Sequence, residues 1–243
     1  MFATLLAASA AMGHLLADQR TAAGPEGGRT RPADGGRQTG SIAGSVVYRA
    51  DPKRPWRYAR YYVKNRKRGE LAEAVVALKP SAAARRPSRK VATVVVDQKD
   101  FQFTPETIAV RAGDRVKFLN SDKVLHNVRT THPRHSFNVN TPSGDAHIET
   151  FAKAGGMRLP YRIGCVFHSA MRSWIFVFDH PHFQVTKTDG RFHLKDIPPG
   201  EYILQIAHPA GQLRSSRSLR VEAGVTTRLD LTVSPDDRPP KRP

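Results

Sequence analysis

The 243-residue sequence has one cysteine, Cys165, and few acidic residues. A single thiol excludes an intramolecular disulfide, a four-cysteine zinc site and an iron–sulfur cluster held by this chain's thiolates alone. No CxxCH occurs, which excludes covalent c-type haem. No apolar run approaches 18 residues, so nothing reads as a membrane-spanning helix. No long segment carries a 3.6-residue apolar period. Asp and Glu number 21 against 39 Lys and Arg, a formal charge of 39 − 21 = +18. Such a charge suits phosphate, an anionic cell surface or an acidic partner, and does not choose among them.

The ends of the chain carry little that could build a core. Residues 1–17 form an apolar run (Phe2, Leu5, Leu6, Met12) with small residues at Ala8-Ser9-Ala10. That pattern is expected of a secretory signal, although no Lys or Arg precedes it. Residues 18–40 hold six Gly, two Pro and four Arg with almost no apolar residue, and read as a disordered linker. Residues 235–243 read as a disordered tail.

Between them the apolar residues alternate. Ile42, Gly44, Val46 and Tyr48 do so, then Ala74, Val76 and Leu78, and Val91 to Val96 is a short apolar run. Ile108 and Val110 precede an Ala112-Gly113-Asp114 turn, then Val116 and Phe118. Tyr161, Ile163 and Cys165 share a face, whereas Trp174 to Phe178 is apolar on both. Phe192 and Leu194, Tyr202 to Ile206, and Val225 to Val233 repeat the pattern. Short period-two runs broken by Gly, Pro and Asp turns predict an all-β chain of sandwiches. One stretch breaks the rhythm: residues 53–68 carry eight Lys or Arg among Trp56, Tyr58, Tyr61 and Tyr62. A solvated charge run is the plain reading, and a surface-binding loop the sharper one.

The chemistry concentrates at Cys165-Val166-Phe167-His168-Ser169-Ala170-Met171, a C-x2-H-x2-M spacing between two strands. His126 follows another strand pair 39 positions upstream. Taken singly, each is usually a packing or surface residue. Together, a thiolate, two imidazoles and a thioether are the ligands of a type 1 copper centre, the Met long and axial. Soft sulfur holds Cu(I) and imidazole suits both oxidation states, while thioether is a poor zinc ligand. His126, Cys165, His168 and Met171 are thus the candidate ligands for one copper ion. His180-x-His182 is a weaker candidate for a second metal, and His132 and His135, flanking Pro133, are expected to ring the metal loops and add pH sensitivity.

Further residues carry a resemblance. Phe103-Thr104-Pro105, then Ile108-x-Val110-x-x-Gly113-Asp114-x-Val116-x-Phe118-x-Asn120-x-Asp122, then His126-Asn127-Val128 and the Cys-His-Met loop resemble a plastocyanin-like cupredoxin, a Greek-key sandwich, over 91–178. The short loop is of the amicyanin kind. The resemblance implies copper binding by the four residues above, with Asn127 tying the two ligand loops together. The wider chain resembles bacterial methylamine utilization proteins, in which such a domain accompanies carboxypeptidase-regulatory-like sequence. Here that sequence is Thr188 to Leu194, Ile197-Pro198-Pro199-Gly200-x-Tyr202-x-Leu204 and Gly224-Val225-Thr226-Thr227. It implies a small, discontinuous β-sandwich from 41–80 and 181–234, interrupted by the copper domain. This chain departs from the group at Arg172-Ser173-Trp174, directly after Met171.

Single-electron transfer in the periplasm or cell envelope is the expected function, with no catalytic residue and an acidic redox protein as partner. A four-ligand site leaves no open position for a substrate. The alternatives are a copper carrier or sensor, and an envelope-surface binding module using 53–68. Nucleic acid is disfavoured for an exported chain.

Overall fold

The structure, a computed structural model, describes residues 38–63, 65–80, 89–210 and 213–237. The expected signal at 1–17, most of the linker at 18–40 and residues 238–243 of the tail lie outside the described residues. No described helix is long and apolar enough to cross a membrane.

Sixteen strands and one short helix build four sheets among the described residues. β1 (Gly40–Tyr48) lies between β13 (Arg191–Ile197), antiparallel, and β16 (Thr226–Val233), parallel. The sheet facing it has the order β12 (Phe183–Val185), β2 (Val75–Pro80), β14 (Gly200–Ala207), β15 (Arg214–Val221). Strands from both ends of the chain thus share these two sheets. Ile42, Val46, Val76, Leu78, Leu194, Leu204 and Ile206 pack between them, as period-two patterning requires. At Gly44 a side chain has no room, because a Cβ there would lie 1.7 Å from the Leu229 carbonyl oxygen.

The middle of the chain forms the second pair of sheets. One has the order β4 (Gln102–Thr104), β3 (Thr93–Lys99), β6 (Arg115–Asn120), β9 (Ala146–Thr150). The other has the order β5 (Thr107–Arg111), β11 (Arg172–Phe178), β10 (Tyr161–Gly164), β7 (His126–Thr130), β8 (Phe137–Thr141). The pairs β3/β6 and β5/β11 are parallel, and the chain crosses repeatedly between the two sheets. Val96, Phe118, Val128, Phe151, Tyr161, Ile163, Ile175 and Val177 fill the interior.

A third core joins the two sandwiches. Val75, Ala77, Phe176, Phe178 and Ala207 are buried together. This explains why Trp174–Phe178 is apolar on both faces: Ile175 and Val177 face the inner core while Phe176 and Phe178 face the junction.

The basic stretch 53–68 is more than a solvated charge run. It contains α1 (Trp56–Arg60), the one departure from an all-β chain among the described residues. Tyr58, Tyr61 and Val63 are buried in the first core. Arg54 and Arg57 pair with Asp51 and with Asp236, a residue of the expected tail. Trp56 stays 55% exposed, with the Arg57 and Arg60 guanidinium groups over its ring.

Candidate metal centre

The ladder between β7 and β10 assembles the site. Gly164 pairs with Arg129 across antiparallel strands. His126 lies three positions before Arg129 and Phe167 three after Gly164, so the loop leaving β10 passes back over the first residue of β7. Gly164 also pairs with Arg172 on β11, so residues 165–171 form a loop pinned at both ends. The Met171 N–H donates to the His168 carbonyl at 3.0 Å and tightens it.

His126 Nδ1 lies 3.1 Å from His168 Nδ1, and Cys165 Sγ lies 3.7 Å from the same His168 nitrogen. The ligand atoms of His126, Cys165 and His168 all lie within 4.8 Å of one another, the only such group among the described residues. His126 and Cys165 are buried and His168 is half-buried. Met171 is buried in the same core as Cys165, and the two line one cleft. The structure therefore brings the His126, Cys165 and His168 candidates to one point and buries Met171 in the same core as Cys165.

The donor set suits a soft or borderline cation. Two ring nitrogens and a sulfur converge where hydrogen bonding serves them poorly, since one shared proton satisfies at most one pair. A cation among them would engage all three. Two imidazole nitrogens and a thiolate are donor chemistry that suits copper.

Asp122 fixes the orientation of His126. Its Oδ2 accepts from His126 Nε2 at 2.7 Å, which directs the Nδ1 lone pair toward Cys165 and His168. The same carboxylate accepts the N–H groups of Asp100 at 2.8 Å and Phe101 at 3.0 Å. Burial pushes the Asp122 carboxyl up, but these backbone donors and His126 outweigh it and hold it below the ordinary value. Asp100 and Phe101 form the β3–β4 turn with φ of +54° and +59°, a left-handed conformation costly for residues with a Cβ. The turn places the 51% exposed Phe101 ring edge-on to both imidazoles, 5.6 Å from His126 and 4.9 Å from His168. Asp122 thus joins a candidate ligand to the turn that carries the neighbouring aromatic ring. Neither role was assigned from sequence; a carboxylate four positions before a candidate ligand was the available signal. Val124, Leu125, Val166 and Phe167 are also exposed and flank the candidate ligands in the chain.

Asn127 departs from expectation. Its amide donates to Asn138 Oδ1 at 2.8 Å and Asn140 Oδ1 at 3.1 Å, so it ties β7 to β8. None of its side-chain bonds among the described residues reaches 165–171, where the residue after Cys165 is Val166, with no polar side-chain atom. His132 and His135 do not ring the metal loops either. His132 stacks on Tyr161 with centroids 3.7 Å apart, and burial lowers its pKa. Glu149 bridges His135 and His147, at 2.8 Å to each. His180 and His182 stack on one another 6.2 Å apart and belong to no group of three candidate ligands among the described residues.

The departure at Arg172-Ser173-Trp174 has local reasons. Arg172 Nε donates to Glu106 Oε1 at 3.1 Å, and the Tyr62 hydroxyl donates to the same oxygen at 2.5 Å. Burial, then the Glu106 carboxylate, pushes the Tyr62 hydroxyl up to about 12. The basic segment is thereby bonded to the residue that follows Met171, and Trp174 packs against the junction core.

A two-sheet β-sandwich with a His-Cys-His cluster at one end is the arrangement of a cupredoxin domain. Residues 90–185 match the family described as copper binding proteins, plastocyanin/azurin family. Among solved structures the chain is similar to a Cu(I) amicyanin mutant, 24% identical, covering 35% of this chain and 81% of that one with a TM-score of 0.32. An oxidized amicyanin mutant is 25% identical over the same shares and has the same TM-score. A Cu-containing nitrite reductase from Thermus scotoductus SA-01 is 21% identical, covering 41% and 25%, with a TM-score of 0.33. No curated protein matches the chain.

Proposed function

We propose that the chain is an exported type 1 copper protein that carries single electrons and catalyses no reaction of its own. The observation that carries this reading is the convergence of His126 Nδ1, His168 Nδ1 and Cys165 Sγ, within a stretch that matches a copper-binding family. Met171 is the fourth ligand in this reading. When bound, copper supplies a one-electron couple between Cu(II) and Cu(I).

The chain's own residues make that couple usable. Asp122 holds the His126 ring by Nε2, and the paired ends of the 165–171 loop hold Cys165 and Met171, so the ligands need little rearrangement between states. Phe101 packs perpendicular to both imidazoles. Half-buried His168 offers an edge to a partner, and Phe167 and Ala170, both exposed, surround it with apolar surface. With a net charge of +18, an acidic redox protein is the expected partner, and its binding should weaken as salt screens the attraction. The strands at 40–48, 75–80 and 183–233 are read as a carboxypeptidase-regulatory-like sandwich that carries the copper domain, as in methylamine utilization proteins.

Voltammetry of the copper-loaded full chain tests the reading. A reversible one-electron couple whose potential moves in Met171→Gln, with copper retained, is expected, because the axial ligand tunes the potential. Absence of a reversible couple, with copper lost to a chelator on mixing, would replace electron transfer with copper carriage.

A further inference from the structure

A cleft of about 240 Å³ opens on the outer face of the five-stranded sheet, against the back of the 165–171 loop. Arg129, Thr131, Arg162 and Ser169 supply its polar wall, and Cys165 and Met171 its inner end. The ladder explains the grouping. Residues opposed across a ladder share a face, so Arg129 stands on the same side as Gly164, and strand alternation adds Arg162 to it. Gly164 leaves the space between them open: a Cβ there would meet only the Met171 carbonyl oxygen, at 3.7 Å.

Neither Arg129 nor Arg162 has an ion pair, side-chain hydrogen bond or ring contact among the described residues. Their neighbour Arg172 is engaged by Glu106 and Tyr62, as Arg54 and Arg57 are by acids elsewhere. Two like charges lining one concave site repel each other, and an anion bound in it relieves that repulsion. Guanidinium forks match the oxygens of a tetrahedral oxyanion, and the Thr131 and Ser169 hydroxyls can donate to its remaining oxygens. At about 30 Å³ per water, the cleft holds roughly eight waters, room for such an ion with part of its hydration shell.

We propose that this cleft is a binding site for a free inorganic oxyanion of the phosphate or sulfate class, held by Arg129 and Arg162. The site places negative charge beside the Cys165 loop. It needs no metal, so it stands or falls apart from the copper reading.

Calorimetric titration of the metal-free full chain with inorganic phosphate, at ionic strength held constant with sodium chloride, tests it. One equivalent is expected to bind saturably, and Arg129→Gln and Arg162→Gln should each weaken binding by about tenfold or more. Arg217→Gln, which removes an exposed charge on β15, should leave the affinity unchanged. Sulfate should compete and chloride should not. No saturable binding, or equal weakening by Arg217→Gln, would overturn the site and leave only diffuse attraction to a basic surface.

Discussion

His208 makes stability depend on acid in a way that can be calculated. It is buried next to β14, with the Tyr61 and Tyr62 rings each 5.4 Å away. Its Nδ1 accepts the Ala210 N–H at 3.2 Å. Burial lowers its pKa from 6.5 to about 3, against a smaller opposing effect of the Ala72 backbone. Because the folded value lies below the unfolded one, the unfolded chain binds the proton first. The contribution is fully present above pH 6.5 and is lost as the pH falls from 6.5 toward 3. The slope approaches about 1.4 kcal/mol per pH unit, which integrates to roughly 2 kcal/mol between pH 7 and pH 5. His132, His180 and His182 are also lowered by burial and steepen the same trend. The His208 share is therefore isolated by difference. His208→Asn keeps an acceptor for Ala210 and cannot be protonated. Urea unfolding followed by circular dichroism at pH 7, 6 and 5 should show the variant weaker at pH 7 but losing about 2 kcal/mol less than the native chain on acidification. Parallel losses in the two proteins would refute the assignment of His208 as a neutral buried group.

Two other substitutions probe the framework. Asp122→Asn removes the charge that accepts from His126, Asp100 and Phe101. It should lower stability by about 1–3 kcal/mol and weaken copper binding about 10- to 100-fold, read by thermal melting and by titration against a copper chelator. Gly44→Ala drives a Cβ into the Leu229 carbonyl of β16, so it should cost at least about 2 kcal/mol. Circular dichroism melts would show this, and an unchanged midpoint would mean the β1–β16 approach is looser than described.

Much of the architecture is legible because alternation is a direct consequence of a strand having one buried face. The double-sided run at Trp174–Phe178 is legible as an anomaly, and its cause, a second core at the junction, needs the third dimension. The ligand candidates stand out because few residue types bind copper and three of them share one loop. His126 joins them only through the β7–β10 ladder, and no local signal gives that register. Phe101 escaped notice because its position depends on a left-handed turn built without glycine or asparagine and held by Asp122 from 21 residues away. Tyr58 and Tyr61 were hidden among arginines and lysines, where charge masks their burial. The donors of Asn127 go to the asparagines of β8, a pairing set by the β7–β8 register and not readable from the residue's place beside His126.

The central claim is that His126, Cys165, His168 and Met171 hold type 1 copper. The most direct measurement is the visible and EPR spectrum of the full chain after one equivalent of Cu(II), beside Cys165→Ser. An intense blue thiolate-to-copper band with narrow copper hyperfine splitting, absent from the variant, is the predicted result. A pale spectrum with ordinary splitting, or a blue band that survives in Cys165→Ser, would contradict it.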